Sequence, residues 1–395
     1  MDGLTAIAMA ASVAAIAYLT LLYTEHKTKT QTSAVKTMAA ATTLNQQKQK
    51  AIVVSEIGKP VILQTDRAIP KPGPHQVLLK VAVAGLNPHD RKVRDMGIFV
   101  ASLLPAPLAN DVVGTVVQVG DAVTDLACGE RVMAQAGIVA GCTQNGLQEY
   151  ALADMVGGPT PAACRVPDCI SDDEAATVPC NAVAPLVALF GVLQIPAPWT
   201  SEAATFDYTN TALLIVGGGS NCGRFAVQLA ALAGIGRIIV VGGGKDELRE
   251  FGATHVINRH ADRDTIVSKI REIVGDDLVY AFDAVNPSEG QILALRALSS
   301  SKGGALARLD PAGQLDESQG GHKSAGYDVR NVFGVSHANP ALARGFWARL
   351  SAYLEKGKIK PLKYTVVQGL DADVVNEILD RYRDGKPVIK THIHI

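Results

Sequence analysis

The chain has 395 residues, 48% of them hydrophobic and 19% charged, so it is long and apolar enough for more than one buried core and is not a disordered polymer. Its 37 basic and 38 acidic residues give a formal net charge of -1, and aromatics make up 5%. That balance supplies neither a basic footprint nor a stacking platform, which excludes nucleic acid as an expected partner.

In chain order, the first feature is the stretch from Leu4 to Tyr23, which has no charge, proline or glycine and is as long as a bilayer-spanning helix. Lys27, Lys29 and Lys36 follow it, so a membrane anchor here would leave the remainder facing the cytosol. The alternative is a soluble protein that opens at Met38. Residues 1–49 therefore read as a hydrophobic segment followed by a polar tether. The six cysteines are scattered, without the spacing of a disulfide framework or a complete metal site, and read as thiols in a reducing compartment.

Short apolar runs at 51–54, 61–63, 77–83 and 111–120, separated by glycine turns, predict a β-rich, barrel-like unit through about residue 165. Ser171 with acidic residues after it predicts a helix start. From Thr211 the grammar becomes strand–helix–strand, as a parallel sheet with crossover helices requires. A helix over 263–274, a long helix over 340–356 and a closing strand over 388–395 complete the pattern, with 310–327 read as a loop.

The strongest motif is LLIVGGGSNCGRFAVQLAALAGIGRIIVVGGGK, residues 213–245. A buried strand runs into Gly217, Gly218, Gly219, Ser220, Asn221, Cys222 and Gly223, and a helix follows at once. Such glycines let the backbone approach a pyrophosphate held at the helix N-terminus, the arrangement of a Rossmann dinucleotide site. The next strand ends in Gly242, Gly243, Gly244 and Lys245, with no carboxylate at its tip for a ribose 2′-hydroxyl. This points to NADPH as the cofactor.

Three motifs in order, VLLKVAVAGLNPHD (77–90), DVVGTVVQVGDAVTDLACGERV (111–132) and the 211–258 unit, make the chain resemble the medium-chain dehydrogenase/reductase superfamily over about residues 50–395. The resemblance implies an α/β protein with a GroES-like domain beginning at 50–180, a Rossmann domain over 181–338 and a return to the first domain over 339–395. It also implies a cleft between the domains, and a homodimer is common in the family. In its zinc enzymes a cysteine stands where this chain has Asn87, and a histidine where it has Ala109-Asn110-Asp111. The lobe of four close cysteines is missing too, so no metal is expected.

NPHDRK (87–92) resembles the Asn-Pro-x-Asp-x-Lys segment of fungal trans-acting enoyl reductases, which work beside polyketide synthases. This implies that Lys92 is catalytic, stabilising an enolate or relaying a proton. It places Asn87, Asp90, Asn110, Cys180 and Ala184 around the substrate, Ala184 standing where a threonine is common. Asn87 and Asp90 read as organisers of the turn, and Cys180 and Cys222 as small buried hydrophobes. The expected activity is reduction of the C=C bond of an α,β-unsaturated carbonyl, on a small molecule delivered free or by a polyketide synthase or acyl carrier. Alternatives are a quinone reductase, an aldehyde or ketone reductase, and a non-catalytic NADPH-binding regulator.

Overall fold

Strands made wholly of aliphatic residues need cover on both faces, and the 213–245 motif supplies two of them, which dictates a sheet sandwiched by helices. In the computed structural model residues 47–311 and 313–395 are described, so the hydrophobic run at 4–23 lies outside the described residues. Residues 49–65 and 70–395 form one compact unit.

The described residues begin with β1 (Lys48–Val54), β2 (Ile62–Ala68), β3 (Gln76–Gly85), α1 (Pro88–Met96), β4 (Ala106–Pro107) and β5 (Asp111–Val119). Next come β6 (Arg131–Gln135), β7 (Tyr150–Asp154), β8 (Ala163–Arg165), α2 (Asp172–Ala176) and α3 (Pro179–Leu186). The Ser171 hydroxyl caps α2 by accepting from Glu174 N at 3.1 Å, while Glu174 reaches back to Ser171 N at 2.8 Å. The run Asp172–Val192 is apolar and long enough to cross a membrane by composition, but 78% of its most apolar window is buried inside the protein, as in a core helix.

The alternating half follows: β9 (Ala212–Val216), α4 (Asn221–Ala233), β10 (Arg237–Val241), α5 (Lys245–Glu250), β11 (His255–Ile257) and α6 (Arg263–Val274). It continues through β12 (Tyr280–Asp283), α7 (Ser288–Ala297), β13 (Gly304–Arg308) and β14 (Tyr327–Asn331). These six strands form one sheet in the order β11-β10-β9-β12-β13-β14, and every pairing in it is parallel. Strand order reverses direction from β9, so the carboxyl ends of β9, β10 and β12 open a crevice at the switch point. Phe225 and Phe282 are fully buried in the core beside this sheet.

After α8 (Pro340–Glu355), the chain returns with β15 (Tyr364–Gln368), α9 (Ala372–Arg383) and β16 (Lys390–His394). The second large sheet runs β15-β16-β3-β5-β6-β8, with β7 also paired to β3. Gly85, Asp111 and Gln135 face one another across β3, β5 and β6 at one rung of this sheet. That rung organises the polar centre described below.

Two differences from the sequence expectations have physical reasons. β14 begins at residue 327, where the expected loop over 310–327 ends, and was not anticipated; it is an edge strand, and none of its residues is buried, so it carries no apolar signal. α1 is a nine-residue helix, closed by Gly97 in the left-handed conformation, rather than a short turn.

β16 also buries His392, whose Nδ1 lies 2.9 Å from Asp173 Oδ1. His394 shares the same carboxylate at 3.0 Å, and the Tyr364 ring stacks on His392 at 5.0 Å. Burial first, and then the charge of Lys390, push the His392 pKa down to about 4 against the pull of Asp173. An unfolded histidine takes its proton near pH 6.5, so the unfolded state gains protons first as the pH falls. Stability should therefore decline between pH 6.5 and 4, by about 3 kcal/mol from this residue. Urea midpoints across that range check it: the slope of stability against pH flattens in His392→Gln.

Candidate active site

The cofactor cradle follows from steric room. Gly217 closes β9 at φ 90°, a left-handed backbone that side chains rarely adopt, and an added Cβ would lie 2.3 Å from Val285. Gly223 sits where a Cβ would meet Gly217 O at 2.3 Å, so the first turn of α4 rests directly on the glycine loop. Ser220 caps α4, its hydroxyl accepting from Gly223 N at 2.9 Å and donating to Gly217 O at 2.8 Å. The N–H groups of Asn221 and Cys222, at the first two helical positions, precede the first intrahelical acceptor and remain available to an anion.

A cleft of about 920 Å³ opens here. Gly217, Gly219, Ser220, Gly242, Gly243 and Lys245 line it, whereas Gly218 and Gly223 are buried beneath. Arg259, just beyond β11, and Lys269, on α6, add positive charge to the same wall beside His260, and no carboxylate lines it among the described residues. Sequence reasoning stopped at Lys245 and missed these three. Basic residues directly after the strand next to β10 were the available signal.

Lys92 lies on α1 with its side chain one-third exposed, and its Nζ is 3.4 Å from Asp310 Oδ2. Asp310 follows β13, so the pair joins α1 to the carboxyl end of the parallel sheet. Nearby, Asp283 ends β12 and accepts from Val285 N at 3.1 Å and Asn286 N at 2.8 Å, ordering the loop that carries Val285 over Gly217. Burial raises the Asp283 pKa above its ordinary value despite these donors.

Beneath α1 is a buried polar centre. Asn87 Nδ2 donates to Asp111 Oδ2 at 2.7 Å, and Lys390 Nζ donates both to Asn87 Oδ1 at 2.9 Å and to Asp111 Oδ2. The Lys390 and Asp111 side chains are 1% and 0% exposed. Cys180 N closes the set on Asp111 Oδ1 at 2.6 Å. Burial alone would raise the Asp111 pKa, but the Lys390 charge and these donors bring it below the carboxylate norm. Lys390 was not anticipated, although a lysine inside an alternating apolar strand was a usable sign.

The other expected pocket residues divide by role. Asp90 is fully buried and accepts from Asn87 N at 2.7 Å and Ala109 N at 2.9 Å, so it pins the start of α1. Asn110 meets His89 Nε2 at 2.9 Å and donates to Ala136 O at 2.8 Å. Ala184 packs against Gly334, where an added Cβ would come within 2.6 Å of the Ala184 Cα. Gln135, also missed, donates to Gly334 O at 2.9 Å and accepts from Ser336 Oγ at 2.7 Å. Burial, reinforced by the Asp111 charge, lifts the Cys180 thiol well above its usual range and Cys222 to about 12, so neither is a ready thiolate.

The donor set at this centre does not suit zinc. The amides of Asn87 and Asn110 replace strong ligands, and the Lys390 ammonium already lies against Asn87 and Asp111. Among the described residues, no group of three or more histidine, cysteine or acidic side chains is placed to hold a metal ion.

With this geometry in hand, known proteins can be compared. The alcohol dehydrogenase GroES-like domain matches residues 73–182, and the zinc-binding dehydrogenase domain matches 222–307. Dehydrogenase orsE of Emericella nidulans is 30% identical over 347 residues, 84% of this chain and 94% of its own. Trans-enoyl reductase tazE of Aspergillus terreus is 34% identical over 262 residues, 64% of this chain and 82% of its own. Among solved structures, the CurK enoyl reductase has a TM-score of 0.68 at 18% identity, over 88% of this chain and 99% of its own. A mycobacterial protein complexed with NADPH has a TM-score of 0.65 at 20% identity, over 88% and 100%.

The chain belongs to the medium-chain dehydrogenase/reductase superfamily. Within it, the chain is an enoyl-reductase-like oxidoreductase, and its cofactor is a nicotinamide dinucleotide.

The cradle makes one substitution diagnostic. A Cβ at Gly218 would lie 2.1 Å from Val240 Cγ1 and 2.7 Å from Gly242 O. Gly218→Ala should therefore push the two glycine loops apart and weaken dinucleotide binding by about tenfold or more, measured by nucleotide titration of the folded variant.

Proposed function

We propose that this enzyme reduces the C=C bond of an α,β-unsaturated carbonyl compound, with NADPH as the hydride source. The observation that carries the reading is the reach of Lys92 from α1 to Asp310, at the edge of the sheet where the glycine cradle opens. The names of the relatives, trans-enoyl reductases of several fungi, support the same chemistry.

The nicotinamide, when bound, supplies the hydride that adds to the β-carbon. As that bond forms, the π electrons move onto the carbonyl oxygen, and the Lys92 ammonium stabilises the charge that develops there. A proton drawn from water and relayed through Lys92 then completes the α-carbon. Asp310 fixes the direction of Lys92, and Asp90 holds the helix that carries it. The preference for NADPH rests on Lys245, Arg259 and Lys269, a cationic wall suited to a 2′-phosphate.

In this reading the GroES-like domain comprises 50–180 and 339–395, and the Rossmann domain 181–338. The substrate is an acyl thioester or free enone, presented by a polyketide synthase or acyl carrier on the cytosolic side. The protein works as a homodimer.

The test follows nicotinamide absorbance with purified full-length protein against enoyl thioesters, enones, quinones and aldehydes. Oxidation of NADPH by enones or enoyl thioesters is expected; oxidation by quinones alone would overturn the assignment in favour of a quinone reductase. Lys92→Ala should lower kcat/KM on enones about a hundredfold while the NADPH dissociation constant changes less than about twofold. An unchanged rate sinks the role of Lys92. Arg259→Glu should weaken NADPH by roughly ten- to a hundredfold and spare NADH, read from the two dissociation constants.

A further inference from the structure

The chain has eight phenylalanines, and two of them meet in the open. Phe99, just after α1, and Phe333, just after β14, have ring centroids 5.4 Å apart, tilted at 55°, yet they are 50% and 43% exposed. Large aromatic rings gain most when fully buried, so a pair touching in water is an unfinished contact. Phe99 moreover sits at φ 69°, a left-handed backbone that costs a non-glycine residue about 1 kcal/mol or more. The chain thus accepts local strain and holds this ring at the surface.

The pair is continuous with the proposed site. Met96, 61% exposed, lies one helical turn beyond Lys92 on the same side of α1, and Phe99 follows the Gly97 cap. From the other side, Phe333 is anchored because its neighbour Gly334 packs on Ala184 and holds Gln135 through its carbonyl. The Phe333 carbonyl is itself held by Asn339 Nδ2 at 3.3 Å. Exposed apolar side chains therefore follow Lys92 along its own segment, at Met96 and Phe99, and the Phe99 ring meets a second ring contributed by a separate segment.

Resting on the reductase reading, we propose that Phe99 and Phe333 form a clasp for the aliphatic tail of an acyl substrate, with its carbonyl end at Lys92. Met96, exposed on the same side of α1 as Lys92, offers the tail further apolar surface. The substrate class is then a medium or long acyl thioester rather than a small enone. The two rings are specificity-determining residues, because a short acyl group does not reach them.

Binding decides this without relying on turnover. Saturated N-acetylcysteamine thioesters of four, eight and twelve carbons are titrated into the full-length protein with NADP⁺ present, by calorimetry. Affinity should rise roughly threefold per added methylene over part of the series. Phe99→Ala and Phe333→Ala should each cut the twelve-carbon to four-carbon affinity ratio about tenfold, with Phe99→Leu restoring part of it. Phe333→Trp gives a second readout, since its emission should shift with the twelve-carbon ligand and not with the four-carbon one. Affinity independent of length, or variants that lose equal factors at every length, overturns the clasp. Length dependence without turnover of the matching enoyl thioesters would instead keep the clasp and remove the reductase reading.

Discussion

The structure depends on a buried charge pair. Removing an ammonium and a carboxylate from water costs several kcal/mol for each ion, and the cost is offset only when partners surround both. Lys390 and Asp111 meet that condition through Asn87, through the amide of Cys180 and through the open space over Gly85, where a Cβ would lie 2.9 Å from the Lys390 Nζ. Each partner comes from a different element: the start of α1, the start of α3, β5, β3 and the final strand. Fixing the pair therefore fixes where α1 begins, and with it the line along which Lys92 is presented.

The same pair accounts for the chemistry expected at this position. A fixed protein cation provides charge that cannot exchange a ligand, and it lies too deep to polarise a substrate oxygen directly. In the proposed reading the site relies instead on Lys92, one-third exposed on the helix above. Around the glycine-lined cleft the logic differs: Lys245, Arg259, His260 and Lys269 face solvent, and only in the proposed reading do they meet a cofactor phosphate.

Much of this was legible in the sequence where local chemistry dictates structure. LLIV and RIIVV could only be strands covered on both sides, the glycines between them left room for a single kind of turn, and Ser171 announced its helix. Residues 340–356 gave a long helix and 388–395 a strand, as the apolar spacing required. What escaped was non-local. Lys390 pairs with residues 303 positions away in the case of Asn87, and no window of sequence shows both. β14 was invisible because an edge strand of half-exposed polar residues looks like a loop. Arg259 and Lys269 acquire meaning only once the sheet order places β11 beside β10.

The position of β16 has a consequence for how such proteins can be recombined. It is wedged between β15 and β3, and it delivers the ammonium that makes Asp111 tolerable inside the β-rich sheet. The segment carrying the first strands is thus not a transferable module. A chimera that grafts it onto another cofactor domain inherits a stranded carboxylate unless the last strand travels with it. Exchange between relatives must keep the two ends of the described chain as one heritable unit, and only the portion between them is free to drift.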